Sequence, residues 1–340
     1  MSRPLLPSGL ADVLPPLAAA EFRMIHHFLK NFMAFGYQPV IPPLAEYTTT
    51  MLGGQGEATS HHIFRFADPL SPQILALRAD MTGQIARIAD TSLGKEKRPL
   101  RLCYAGYTLR TSPEALKSRR QHTQVGLERF GDASTRGTAE ILAIAVQALS
   151  STGLEGLTID LHFPAIIPSL LDELHAVKHP AIRDAVRLKD TARLRQLGAD
   201  RIAEIIELSG PATTVLKQLE AIKQKDVQHA VRNLTELCDE LAKLKLPVHC
   251  NIDMLDLSGY GYYTGVGYAL YWNGGNLEVG RGGCYRTDGG EQAVGFTLYI
   301  NDLLALLPTE APTPIAEIPY GTPLEEVLKK QRDGFVTVLV

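Results

Sequence analysis

The sequence predicts an α+β protein, an antiparallel sheet flanked by helices with a helical insertion. Short strand candidates succeed one another at hairpin spacing, which argues against a βαβ repeat. Helical patterns gather at the start, middle and end of the chain. Composition agrees with a folded globular protein: 340 residues, 45% apolar and 21% charged, enough to bury a core of one large domain with a remainder.

Taken in order, Phe22, Ile25, Leu29 and Phe32 recur at helical spacing, with Gly36 as a stop. Tyr37–Ile41 reads as a strand closed by Pro42-Pro43. Further strands are predicted at Ile63–Phe66, Ile74–Arg78, Leu100–Leu109 and Gln121–Phe130, with Thr111–Arg120 a polar loop between the last two. A helix at Arg136–Leu149 and a strand at Leu157–His162 follow. From about residue 166 to 245 the chain is rich in Leu, Ala, Lys, Glu and Arg at helical period, and this is the predicted insertion. Strands return at Val248–Ile252, Tyr262–Trp272, Asn276–Val279 and Ala293–Leu298, then a helix at Asn301–Leu307. The first domain is thus expected to span 1–308. Residues 309–323 read as a Pro-rich linker. The helix Leu324–Arg332 and the strand-like Phe335–Val340 are expected to begin a truncated C-terminal domain, since one helix and one strand cannot bury a core.

Several function classes are disfavoured. The 34 Lys+Arg against 37 Asp+Glu give a net charge of −3, unlike a dedicated nucleic-acid binder. Cys103, Cys238, Cys250 and Cys284 are scattered without a C-x-x-C pair, so neither a disulfide scaffold nor structural zinc is expected. The pairs His26-His27 and His61-His62 point to different faces of an element and lack metal-ligand spacing. No signal-peptide core or membrane span is read from the sequence, and a cytoplasmic protein without metal or cofactor is expected. The Gly-rich pieces Gly53-Gly54-Gln55-Gly56, Gly259-Tyr260-Gly261 and Gly280-Arg281-Gly282-Gly283 lack the strand–helix setting of a phosphate loop and read as turns or bulges.

Polar residues inside apolar strands carry more. Leu77-Arg78-Ala79-Asp80-Met81-Thr82 puts charges and a hydroxyl at a strand end. Gln124 and Glu128 are an even number apart and share a strand face. Tyr262-Tyr263-Thr264-Gly265 adds phenols. Carboxylates, an amide and phenols over one antiparallel sheet suit a small cationic or zwitterionic ligand.

These residues, with others, bring a family into view. Gly9–Pro15, with Gly36–Leu44, resembles the N-terminal signature and motif 1 of histidyl-tRNA synthetases. Leu77–Thr82 is similar to their histidine-binding Leu-Arg-Pro-Glu-Gly-Thr. Tyr104–Gly131 resembles motif 2, Tyr262–Gly265 a histidine-recognition loop, and Ala293–Phe296 the strand opening motif 3. The resemblance covers about residues 5–307 and implies a class II aminoacyl-tRNA synthetase-like fold. It assigns Asp80, Thr82 and Gln124 to the α-amino group of histidine, Glu128 and Tyr263 to the imidazole, and Arg110 to a relic ATP side.

Departures from the family fall on the nucleotide side. Tyr299-Ile300-Asn301-Asp302 stands where the synthetases carry Gly-Leu-Glu-Arg, Ser258 where they carry an arginine, and Ser112 replaces an acidic residue. Gly282-Gly283-Cys284-Tyr285-Arg286 replaces Gly-Gly-Arg-Tyr-Asp. Losing one charge-stabilising donor typically costs about 3–4 kcal/mol, and two are lost. A synthetase-like chain that keeps amino-acid ligands and loses ATP ligands resembles the regulatory subunits of ATP phosphoribosyltransferase. That resemblance implies no catalytic residues of its own, a homodimer within a hetero-octamer with the short-form catalytic subunit, and histidine as feedback effector in the first step of histidine biosynthesis. A divergent histidyl-tRNA synthetase activating histidine with ATP is the alternative. An RNA-binding module has only Lys117, Arg119 and Arg120 to recommend it, and tRNA is not an expected partner.

Overall fold

Met24, Phe28 and Phe32 align on one face of the first helix, Leu17–Ala34, and are buried together with Glu21. Phe22, part of the apolar stripe in the sequence, is instead 66% exposed. The apolar positions wrap more than one face, so spacing alone does not choose the core stripe. Gly36, at φ +82°, ends the helix in the left-handed region that glycine adopts without strain. The computed structural model describes residues 5–52, 62–113, 119–172, 174–256, 261–272, 277–307 and 314–340. Gly53–Gly56, His61, Lys117, Ser258 and Gly259-Tyr260 lie outside them.

In chain order the strands among the described residues are β1 (Gln38–Pro39), β2 (Ala45–Tyr47), β3 (Arg65–Ala67), β4 (Ile74–Leu77), β5 (Leu100–Leu109), β6 (Gln121–Phe130) and β7 (Leu157–His162). They continue as β8 (Ser209–Pro211), β9 (Val248–Asp253), β10 (Tyr263–Trp272), β11 (Leu277–Arg286), β12 (Gln292–Tyr299), β13 (Ile315–Ile318) and β14 (Val336–Leu339). The main sheet has the order β1-β5-β6-β12-β11-β10-β7-β9-β8. Its centre is antiparallel; β1 lies parallel to β5, and β7 parallel to β9. A second, antiparallel sheet has the order β2-β4-β3. The predicted strand over Tyr37–Ile41 shrinks to Gln38–Pro39, because Pro39, Pro42 and Pro43 cannot donate to a ladder.

The two faces of the sheet are covered differently. Behind it lie the helices Leu17–Ala34 and Thr135–Ser150; Phe32 meets Phe296 of β12 edge to face at 5.5 Å. The second of these helices is capped by Ser134, whose hydroxyl accepts from Gly137 N at 3.2 Å. The front is partly covered by the short helix Thr82–Asp90. Its Ile85, Ala86 and Ala89 pack with Leu102, Tyr104 and Phe130 of the sheet and with Tyr285. The sequence hides this helix: it has nine residues, begins Thr-Gly, and stands on tertiary packing more than on propensity.

Residues 166–245 carry the helices Ile167–Asp172, His179–Arg187, Thr191–Gln196, Asp200–Glu207, Ala212–Leu219 and Lys225–Leu244. Against the expectation of a segment without strands, β8 lies within it and pairs antiparallel with β9. Three residues containing Gly210 and Pro211 leave no strand signature in sequence. The unit Met1–Ala305 is followed by a second, Leu306–Val340. There the stretch read as linker holds β13, which runs parallel to β14 with the helix Leu324–Arg332 between them in sequence. Ile318 and Val327 are buried in this unit. Among the described residues no helix is long and apolar enough to cross a membrane.

Candidate binding site

Register builds the floor of the site. Glu128 of β6 stands opposite Gly295 of β12, Gly295 opposite Gly283 of β11, Gly283 opposite Gly267 of β10, and Gly267 opposite His162 of β7. Residues directly opposite share a sheet face, so three glycines form a trough between a carboxyl group and an imidazole. A Cβ on Gly295 would overlap the Glu128 carboxylate, and one on Gly283 would come within 2.7 Å of the Tyr263 ring. Above the trough opens a cavity of about 760 Å³ whose wall includes Asp80, Thr82, Glu128, Tyr262, Tyr263 and Tyr285. That volume is ample for one amino acid.

Glu128 is 1% exposed. The Tyr285 hydroxyl donates to Oε2 at 2.9 Å and the Tyr104 hydroxyl to Oε1 at 3.3 Å. Burial pushes the Glu128 carboxyl up to about 8; the Tyr285 hydrogen bond opposes this and the Asp80 charge adds to it. Asp80 lies just before the helix Thr82–Asp90, where a carboxylate is favoured by the helix dipole. Its Oδ1 accepts from Thr82 N and its Oδ2 from Gln124 Nε2, both at 2.8 Å. Gln124 Oε1 in turn accepts from Met81 N at 3.2 Å. Among the described residues, the two acidic groups on the floor thus have uncharged donors as their hydrogen-bond partners.

Of the residues assigned to histidine by resemblance, Asp80, Thr82, Glu128 and Tyr263 line the cavity. Gln124 stands behind Asp80 and holds it. Arg110 does not line the cavity: its Nε donates to Ala79 O at 3.4 Å, and Arg120 Nε donates to the Arg110 carbonyl at 3.1 Å. Tyr262, read from the sequence among the phenols, does line the cavity, whereas the sequence does not single out Tyr104, Tyr285 and Arg281 as site residues. Tyr262 stacks on Tyr285 at 5.0 Å and 21°, and its buried hydroxyl has no hydrogen-bond partner among the described residues. Gly280-Arg281-Gly282-Gly283, read as a turn or bulge, lies inside β11, next to a register shift with β10 at Leu270/Tyr271. The signal for Tyr285 and Arg281 is parity: each is two residues from Gly283, so all three share a face.

The rim is built on other terms. Arg87 Nη2 and Nε bind Glu46 Oε1 and Oε2 at 2.6 and 3.1 Å, and Gln84 Nε2 adds a bond to Oε1 at 2.8 Å. Asp90 accepts from Thr287 Oγ1 at 2.8 Å and Gly289 N at 2.9 Å.

A family model described as histidyl-tRNA synthetase matches residues 9–303. The ATP phosphoribosyltransferase regulatory subunit of Rhodospirillum centenum is 38% identical over 346 aligned residues, which cover 100% of this chain and 90% of that protein. The chain belongs to this regulatory-subunit family. Its histidyl-tRNA synthetase-like fold is shared with an ATP phosphoribosyltransferase regulatory subunit/histidyl-tRNA synthetase from Bacillus halodurans, with a TM-score of 0.85 at 22% identity over 99% of this chain and 93% of that one. It is shared also with a chain of the ATP phosphoribosyl transferase (HisG:HisZ) complex from Thermotoga maritima, with a TM-score of 0.66 at 20% identity over 82% and 97%.

Within a regulatory-subunit chain, the described positions that depart from the synthetase pattern have taken up structural tasks. Ser112 Oγ pairs with His62 Nδ1 at 2.9 Å. Asn301 Oδ1 accepts from Thr123 N at 2.8 Å, and Asp302 lies in the first turn of the helix Ile300–Leu306, where a helix dipole favours an acid. Cys284 is buried beside Thr138 at 3.4 Å, and Arg286 Nη1 donates to Gly290 O at 3.0 Å.

Proposed function

We propose that the chain activates a separate, short-form ATP phosphoribosyltransferase catalytic subunit and carries the feedback control of that reaction by histidine, which sits in the cavity over the trough. One observation carries the ligand reading: two floor carboxyl groups, Asp80 and Glu128, face a cavity and have neutral hydrogen-bond donors where cations would be expected. Burying a charge without a counter-ion is costly, which pushes the Glu128 carboxyl up to about 8, and a ligand bearing an ammonium and an imidazole supplies partners for both groups. The ammonium docks on Asp80 and the ring on Glu128, with Tyr263 and the unpartnered Tyr262 hydroxyl beside it.

Control then follows from differential affinity. Histidine holds the complex in its inhibited arrangement to the extent that it binds that arrangement more tightly. The catalytic subunit, assembled with this chain as a hetero-octamer, is the partner, and a homodimer of this chain forms its core. Phe22, Phe35, Ile41 and Leu44, left 66%, 48%, 91% and 61% exposed, support the homodimer. tRNA is not a partner on this reading: Arg120 is committed to the Arg110 and Ser8 carbonyls and lies 5.0 Å over the Phe64 ring. The site of action is the cytoplasm.

The test mixes the purified chain with the catalytic subunit. Turnover appears only on mixing, is inhibited by histidine, and in Glu128→Ala persists while inhibition is lost. Full turnover by the catalytic subunit alone overturns the activation reading. Unchanged histidine affinity in Glu128→Ala, measured by calorimetry on the complex, moves the effector site elsewhere.

A further inference from the structure

An amino acid has three groups to recognise, and the floor described so far serves two of them. Its carboxylate needs a cation. Among the described residues the arginines in the cavity wall are Arg87 and Arg281. Arg87 is held on the rim by its two bonds to Glu46. Arg281 is on the floor: it is one same-face step along β11 from Gly283 in the trough, about 7 Å away by strand geometry, and stands opposite Thr297 of β12 and Ala269 of β10.

A fault in the strand sets the state of this guanidinium. Residues three apart on a regular strand point to opposite faces. Here the register with β10 shifts between Leu270 and Tyr271, which pair with Gly280 and Glu278. The bulge brings Glu278 round to the face of Arg281. Glu278 binds its Nε at 2.7 Å and its Nη2 at 2.6 Å. That side-on pair uses two of the five N–H donors of the fork. The edge carrying Nη1 remains for a second carboxylate, a geometry that guanidinium serves and ammonium does not. A third of the side chain, 35%, is still exposed, so the free edge can be reached.

We propose that Arg281 is the carboxylate anchor of the cavity and makes it selective for a free α-amino acid over its decarboxylated or reduced relatives. This rests on the reading that a histidine-like ligand lies over Asp80 and Glu128. Glu278, whose side chain binds Arg281 through both oxygens, is a positioning residue: it aims the guanidinium and holds the fork side-on.

The experiment is calorimetry on the complex with L-histidine, histamine and L-histidinol, for wild type, Arg281→Met, Arg281→Lys, Glu278→Gln and Glu128→Ala. Losing one charge-assisted pair predicts that Arg281→Met weakens histidine about 30- to 100-fold while histamine and histidinol stay within about twofold, so the preference for the carboxylate collapses. Arg281→Lys restores part of it, and Glu278→Gln changes histidine affinity without changing histamine affinity. Equal loss for all three ligands in Arg281→Met, or no change for histidine, overturns the anchor while the cavity reading stands, provided Glu128→Ala still abolishes binding. Histidine affinity untouched by both Glu128→Ala and Arg281→Met overturns the cavity reading and the anchor together. Melting curves on the same samples identify any variant that fails to fold, and Glu278→Gln then decides the question, since it leaves Arg281 in place.

Discussion

The floor and the rim of one cavity solve the same electrostatic problem in opposite ways. On the rim, Glu46 has its own cation, Arg87, at 2.6 Å and a further donor from Gln84. On the floor, Asp80 and Glu128 have phenols, an amide and a backbone N–H, with no cation in direct contact among the described residues. The rim is complete as built. On the proposed reading a cationic ligand completes the floor, which would concentrate recognition there and leave the rim to supply shape. Among the described departures from the synthetase pattern, Ser112, Asn301, Cys284 and Arg286 each serve a structural bond.

The largest effect that would break this contrast comes from the trough itself. Gly295→Ala puts a methyl group into the Glu128 carboxylate and the Leu127 backbone, neither of which can move freely in a central strand. The expected result is a destabilisation of about 3 kcal/mol, read by denaturant unfolding, with histidine binding lost. Gly289→Ala on the rim, where the added Cβ lies 2.9 Å from Asp90 Oδ1, meets a side chain that can rotate and costs under about 1 kcal/mol. Similar losses in both would erase the distinction between floor and rim.

Next comes pH. Glu128 has an ordinary value of 4.5 and about 8 when folded. Between those values the native state binds a proton that the unfolded chain has released, so stability falls as pH rises through the window and levels above about 8. Each pH unit within it is worth about 1.4 kcal/mol at most. Glu128→Gln removes this slope: it should match wild type near pH 5 and melt higher than wild type at pH 8.5. His162, held down to about 4 by burial, acts in the other direction, costing stability as pH falls below 6.5, and Glu128→Gln leaves that limb unchanged. A wild-type slope that survives the substitution would mean that the floor carboxyl is already satisfied without a ligand.

Much of this site was legible in the sequence, and what was not had a common cause. The bounds of β5 and β6 follow from continuous strand-forming runs, and the shared face of Gln124 and Glu128 follows from parity alone. Asp80 and Thr82 stand out in the sequence as polar groups at a strand end, with their ligand role given by resemblance, yet the structure places Thr82 at the start of a helix. Tyr285 and Arg281 were hidden because their neighbours are set by cross-strand register, which one strand's sequence does not contain. The bulge that pairs Arg281 with Glu278 reverses the parity by which such a pair would be judged impossible. Arg110 shows the converse: resemblance assigns it to a relic ATP side, and its Nε donates to the Ala79 carbonyl, outside the cavity wall.

The smallest expected effect is the sharpest on the rim. Glu46→Gln keeps the shape and the Gln84 contact but leaves Arg87 without its carboxylate; the Arg87 side chain is 30% exposed and Glu46 9%, so water can take over much of the pairing. Stability should fall by about 1 kcal/mol, and histidine affinity should stay within about threefold by calorimetry. The released Arg87 is also a control for Arg281. If the cavity needs only a cation somewhere in its wall, freeing Arg87 in an Arg281→Met background restores carboxylate selectivity. If selectivity depends on the free edge of a fork fixed at one step from the trough, the double variant discriminates no better than Arg281→Met alone. The second result is expected, because the proposed reading places the amino acid over Asp80 and Glu128 while Arg87 is paired with Glu46.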